Sequence, residues 1–180
     1  LFALSLLAPD GPFTYLPLLR GGAASPPIQI SALYYDTYLT GEPDEAFQLY
    51  NPLPRPVSLA GRQVSAGSRT VTFPSGIEIA PRAQMWCARQ AADFRQSFAF
   101  APGCEYGADT DPGVPNLTGG ALTLANTGGR VTLTSPDRTY QDVLVYEGGD
   151  TGAGSGLPGW HGPAVEPYRP TRSFGVEGQI

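Results

Sequence analysis

An all-β fold of many short strands, with one short helix, is what this sequence predicts, and three observations carry the expectation. Glycine and proline are abundant (23 Gly and 19 Pro in 180 residues), and these residues punctuate tight turns. Apolar residues make up 41% of the chain and charged residues only 15%, enough apolar surface for one core of ordinary domain size. The apolar residues recur mainly with a period of two, which lines them up on one face of a pleated strand.

Taken in order, Ile28-Gln-Ile30 opens the first strand, which continues toward Leu33. Thr40-Gly-Glu-Pro-Asp44 is turn chemistry and leads into Glu45-Ala-Phe-Gln-Leu-Tyr50, where Phe47 and Leu49 alternate with Ala46, Gln48 and Tyr50. Asn51-Pro52 stops that strand, because proline has no N–H to give to a ladder. Val57-Ser-Leu-Ala starts a new apolar piece that breaks at Gly61, and Val64 belongs to a short strand after it. Thr70-Val-Thr-Phe73 puts Val71 and Phe73 on one face, Pro74-Ser-Gly76 turns, and Ile77-Glu-Ile79 alternates again. Gln84-Met-Trp-Cys-Ala88 is apolar throughout and reads as a central strand.

Residues 90–98 form the one expected helix, since Ala91, Phe94 and Phe98 share a face at i, i+3 and i+7. An irregular stretch, 101–120, follows it. Ala121-Leu-Thr-Leu124, Arg130-Val-Thr-Leu133 and Asp142-Val-Leu-Val-Tyr146 are the last strand-like runs, joined through turns at Asn126-Thr-Gly-Gly129 and Ser135-Pro-Asp-Arg138. The pairs Phe47/Leu49, Val71/Phe73, Ile77/Ile79, Leu122/Leu124, Val131/Leu133 and Val143/Val145 are therefore expected to point into one core.

The net charge is −5, and all basic residues are arginine. A weakly acidic chain lacks the basic stripe that gives nucleic-acid binders their phosphate affinity, so no nucleic-acid partner is expected. The absence of lysine excludes Schiff-base chemistry, a P-loop lysine and a Ser–Lys pair. Leu1-Phe-Ala-Leu-Ser-Leu-Leu-Ala8 reads either as the end of a signal-peptide apolar region or as a partly buried strand. Lacking an initial methionine, the chain reads as a fragment or processed product. No stretch is long enough to span a bilayer as a helix.

Five segments in this order and spacing resemble the lamin tail domain family. They are Glu45-Ala-Phe-Gln-Leu-Tyr-Asn-Pro52 with Val57-Ser-Leu-Ala-Gly61, Thr72-Phe-Pro-Ser-Gly-Ile-Glu-Ile-Ala-Pro81, Asn126-Thr-Gly-Gly-Arg-Val-Thr-Leu133, Gln141-Asp-Val-Leu-Val-Tyr146, and Trp160 near the end. The chain departs from the family pattern at three places. Ala46 or Phe47 stands where the family strand carries tryptophan, Gly129 where an acidic residue is usual, and the insert 103–120 is longer than the family norm.

The resemblance implies an immunoglobulin-like β-sandwich of about seven to nine strands over residues 28–162. Residues 1–27 would then be signal remnant and linker, and 163–180 a Gly/Pro-rich extension toward a further domain. It implies no catalytic site, but a role in attachment or protein contacts, with a protein or cell-surface component as partner. Bacterial members sit on exported proteins, often beside nuclease-like or phospholipase D-like domains. The phrases Gly107-Ala-Asp-Thr-Asp111 and Phe174-Gly-Val-Glu-Gly-Gln-Ile180 resemble lamin-tail regions that precede phospholipase D-like domains.

Cys87 and Cys104 are the only cysteines. In an exported protein an even count points to a disulfide, and the other reading is a buried strand thiol with an unrelated loop thiol. His161, the only histidine, lies in a Gly/Pro-rich stretch and reads as a surface residue; phospholipase D chemistry also needs a lysine in an H-x-K motif. Glu105, Asp109, Asp111 and Asn116 offer oxygen ligands for calcium, or form a solvated acidic loop; Pro112-Gly113 rules out an EF-hand. Asp36, Glu42, Asp44 and Glu45 make a second acidic patch, read as solvated. Tyr34, Tyr35, Tyr38, Phe13 and Tyr15 line a binding face or simply pack in strands. Beside the attachment module, two functions stay open. One is a calcium-dependent carbohydrate- or surface-binding sandwich using Asp109, Asp111 and Asn116; the other is a small hydrolase with dispersed carboxylates.

Overall fold

A computed structural model describes residues 28–147. The stretches 1–27 and 148–180, with the signal remnant, Phe13, Tyr15, Trp160, His161 and the C-terminal extension, lie outside the described residues. The described chain runs β1 (Gln29–Tyr34), β2 (Ala46–Tyr50), β3 (Val57–Ser58), β4 (Gln63–Ala66), β5 (Arg69–Thr72), β6 (Glu78–Ile79), β7 (Gln84–Ala88), α1 (Ala91–Phe98), β8 (Cys104–Glu105), β9 (Gly128–Thr134) and β10 (Gln141–Glu147). Three of the ten strands, β3, β6 and β8, are only two residues long, which is how the count exceeds the expected seven to nine.

Two four-stranded sheets, ordered β1-β2-β7-β8 and β10-β9-β4-β5, pack face to face, and β3 and β6 form a small separate ladder. All pairs are antiparallel except β7 with β8. The fold is an all-β sandwich with one short helix, as the alternation predicts. Phe47, Leu49, Cys87, Val64, Val71, Val131 and Leu133 meet between the sheets, and Leu59, Ile77 and Ile79 belong to the same core.

The first sheet is buried on its inner face and, at the end beneath α1, on its outer face as well. Its outer face gives Tyr34, Ala46, Trp86 and Ala88 to a second cluster, closed by Phe94 and Phe98 of α1. Phe94 and Phe98 stack at 4.2 Å between ring centroids, and Trp86 lies 5.4 Å from Phe98. This explains why β7 reads as apolar throughout: alternate residues serve two different cores. In β1 the inward residues are Ile30 and Leu33, three apart, because a bulge between Ile30 and Ala32 inserts one residue.

Two sequence expectations are corrected. Leu122 and Leu124 are buried as expected, but 121–124 is not a strand. The Leu124 N–H donates to the Glu45 carboxylate at 3.3 Å rather than to a ladder. In β10 the inward residues are Leu144 and Tyr146, not Val143 and Val145. Register sets this: Leu144 stands opposite Val131 and Tyr146 opposite Gly129, and opposed residues share a face. The sequence misled because Asp142 lies on the same inward face. Its carboxylate is used there, accepting the Ile30 N–H at 2.6 Å across the gap between the sheets.

The outer edge of β5 is covered. Thr72 and Thr118 exchange both backbone hydrogen bonds, at 2.7 and 3.0 Å. Gly119 (φ +111) lets this segment lie so close that a Cβ would collide with the Thr70 carbonyl.

Candidate functional site

The densest chemistry lies at one end of the sandwich, where β1, β7 and β10 end and β2 and β9 begin. Glu42, Asp44, Glu45, Arg89 and Asn126 come together there, with Ser97 of α1 and Tyr106 just after β8. The sequence reads Asp44 and Glu45 as solvated. The structure buries both, at 0% and 1% exposure. Asp44 sits in the turn that Glu45 N closes on the Glu42 carbonyl, and the two side chains leave it in opposite directions. Asp44 turns toward the helix and accepts a hydrogen bond from the Ser97 hydroxyl. Glu45 accepts from Leu124 N on the other side and pairs with the Arg89 guanidinium at 3.5 Å.

Burial pushes the Glu45 carboxyl up to about 7; Arg89 opposes the rise, and Glu42 and Asp44 add to it. The Tyr106 hydroxyl, which donates to the Glu45 backbone carbonyl at 3.0 Å, is held well above its ordinary value by burial and then by the Glu45 charge. Glu42, half-buried with φ +54, accepts from the Asn126 amide at 2.6 Å. A carboxyl near neutrality is suited to proton transfer. Two-carboxylate hydrolysis needs the pair to flank one bond, whereas Asp44 and Glu45 serve different sides of the chain.

The acidic loop is also corrected in part. Glu105 is fully buried. One of its oxygens accepts Ala91 N at 2.8 Å and the Thr110 hydroxyl at 2.7 Å. The other accepts Thr110 N at 3.0 Å and Asp111 N at 3.3 Å. Gln90 supplies no side-chain cap to α1, so Glu105 caps the helix from a distant strand. Asp109 is exposed. Asp111 pairs with Arg95 at 2.6 Å and accepts Gly113 N at 3.0 Å. The buried Asn116 Oδ1 meets no partner among the described residues. Among the described residues no group of three or more His, Cys, Asp or Glu side chains converges as a metal would require.

Cys87 and Cys104 form a disulfide, facing each other across the parallel β7–β8 pair with Cα atoms 4.6 Å apart. The loop it closes contains α1, and closing a loop of this length stabilises by about 3 kcal/mol on the chain-entropy view. Tyr34 and Tyr35 pack in the interior, and only Tyr38 of the three is exposed.

Acidity should stabilise this fold between about pH 4 and 7. Burial raises Glu45 to about 7 and Asp142 to about 6, so the folded chain binds these protons more tightly than the unfolded one. Their contribution is present in full below the unfolded values and is lost as pH rises through 6 and 7. Each is worth roughly 2 to 3 kcal/mol. Below pH 4 the trend reverses, because Asp137, held at about 2 mainly by Ser135 and then Thr139, loses its contribution as it protonates. Urea unfolding at pH 5 and pH 8 measures the slope. Glu45→Gln and Asp142→Asn are each expected to flatten it, and an unchanged slope in both would contradict the assignment.

No protein-family model matches the chain, and no curated protein matches it. Among solved structures it is similar to a crystal structure of a DUF4876 family protein from Bacteroides thetaiotaomicron, at 13% identity and a TM-score of 0.48. The alignment covers 61% of this chain and 42% of that one, so the chain spans less than half the length of that protein. Nothing about activity follows from this likeness; the sandwich rests on its own strand pairing.

Proposed function

We propose that this chain is a non-catalytic attachment or interaction module of a larger exported bacterial protein, of the lamin tail type, N-terminal to a phospholipase D-like or nuclease-like domain. The observation that supports this best is the work done by Asn51. It stands in the Leu49-Tyr-Asn-Pro52 motif, and its amide nitrogen donates to the carbonyls of Ile79 and Ala80 at 3.0 and 2.9 Å. Two of the motifs that carry the resemblance are thus one physical unit, the end of β2 locked to the end of β6.

The disulfide supports export, since such bonds persist in oxidising compartments. Among the described residues no helix is long and apolar enough to cross a membrane. A module of this kind holds a neighbouring domain near its target by raising effective concentration.

The test is a fusion of the whole chain to a reporter at its C-terminal end, applied to cell-envelope fractions. Retention above reporter alone, with phosphodiester turnover absent, is expected. A fusion that partitions like the reporter would sink the attachment reading. A melting temperature that rises with calcium would move the reading to a calcium-dependent surface binder.

A further inference from the structure

We propose that Arg62 is the receptor for an oxyanion, a carboxylate or phosphate group, at the end of the sandwich opposite the acidic cluster. Arg62 directly precedes β4, whose first residue pairs with Thr134 at the far end of β9. The residue is 8% exposed. Its Nη1 is buried and meets no acceptor among the described residues. Among the described residues its Nε reaches only the Ser58 carbonyl, at 3.4 Å, the weak limit of such a bond.

Two other arginines are treated differently. Arg89 pairs with Glu45 and Arg95 with Asp111, while Arg62 makes no ion pair among the described residues. Tyr140 and Asp137 act on Arg62 only through space, and their hydrogen bonds run elsewhere, those of Asp137 through Oδ1 alone. Asp137 accepts from Ser135 Oγ at 2.6 Å, Thr139 Oγ1 at 2.8 Å and Thr139 N at 3.1 Å. The Tyr140 hydroxyl donates to the Ile28 carbonyl at 2.9 Å.

A guanidinium stays charged at any physiological pH. Taking it out of water without an anion is costly, and proteins rarely keep such a group unless something pairs with it. The backbone around it is fixed: Arg62 N donates to the Leu59 carbonyl at 2.9 Å, and Phe73 N donates to the Arg62 carbonyl at 3.0 Å. Gly61, at φ +73, packs against Pro136 of the β9–β10 turn. A guanidinium fork with an unpartnered Nη1 and a fixed backbone beneath it suits the two oxygens of a carboxylate or phosphate. The proposal is independent of the attachment reading, because it concerns the opposite end of the molecule and a group no motif includes.

The experiment uses the whole chain with nitrogen-labelled arginine. Sodium phosphate and sodium acetate are titrated separately at pH 7, against sodium chloride at matched ionic strength, while the Arg62 Nε–H resonance is followed. The expected result is a saturable shift of that resonance with one or both anions, and a rise of several degrees in melting temperature over chloride. The anion that acts identifies the source, phosphate ester or carboxylate. Arg62→Lys keeps the charge without the fork and should weaken binding about tenfold. Arg62→Met should melt no lower than the parent in chloride and show no response to either anion. An Arg62 resonance unmoved by both anions would overturn the proposal, as would equal thermal gains in the parent and Arg62→Met. If a variant fails to fold, the titration of the unaltered chain still decides.

Discussion

Replacing Asn51 with alanine is expected to cost about 3 to 5 kcal/mol of stability, and the reason lies in what one small side chain holds. Asn51 is fully buried. Its amide nitrogen lies 2.8 Å from the Arg55 carbonyl, 3.0 Å from that of Ile79 and 2.9 Å from that of Ala80. Its carbonyl oxygen accepts Leu53 N at 2.9 Å. An amide has two hydrogens for three acceptors, so one bond is shared. Truncation removes all of these bonds and strands buried backbone groups, each worth roughly 1 kcal/mol or more. Asn51→Asp is the sharper variant. It keeps the shape but turns a donor toward three carbonyls into a carboxylate oxygen, and should be at least as damaging. Urea unfolding measures both, with Asn126→Ala, at an exposed hydrogen bond, as reference. A loss below 1 kcal/mol in Asn51→Ala would show that the loop holds itself without the side chain.

The strands were legible because their cause is local. Val71 and Phe73, or Val131 and Leu133, lie two residues apart on one face whatever the rest of the chain does. The same locality explains the helix, where Ala91, Phe94 and Phe98 are the buried residues. Asn51 itself left a trace, since Asn-Pro after a strand suits a turn in which the side chain bonds the backbone two residues on. That it also reaches Ile79 and Ala80 has no local sign. The disulfide was legible as an even cysteine count, although not as a cross-strand pair.

The fate of charge was not legible. An acidic residue reads as solvated by default, and the exceptions depend on partners far away in sequence. Glu45 meets Leu124, Asp142 meets Ile30, and Glu105 meets Ala91. These contacts span 79, 112 and 14 positions. Each carboxylate satisfies a backbone N–H that ordinary secondary structure leaves open: the bulged edge of β1, the non-strand segment at 124, or the first turn of α1. Arg62 went unremarked for the converse reason, because nothing in the sequence announces a cation that the fold buries without an ion pair among the described residues.

Glu105→Ala should also cost about 3 to 5 kcal/mol, and its damage should be directional. The fully buried carboxylate collects four hydrogen bonds, two from Thr110, one from Ala91 N and one from Asp111 N. Bonds to an ionised acceptor are worth more than neutral ones. They join three elements: β8, the first turn of α1 and the loop at 110–111. Ala92 N, donating to Thr110 Oγ1 at 3.1 Å, depends on the same arrangement. Without Glu105 the helix loses its distant cap, and an eight-residue helix has little stability of its own. The disulfide should still hold β8 against β7, so the sandwich survives while α1 lifts from the outer face. Trp86, 7% exposed beneath Phe94 and Phe98, then reports the change. Its emission in a Trp160→Phe background should shift to the red, and amide exchange should quicken in α1 well before it does in β2 or β9. Glu105→Gln, with the shape but not the charge, should lose roughly half as much. If Glu105→Ala instead unfolds sandwich and helix together, with exchange in α1 and β2 rising in step, the helix is not a separable layer and the capping argument fails.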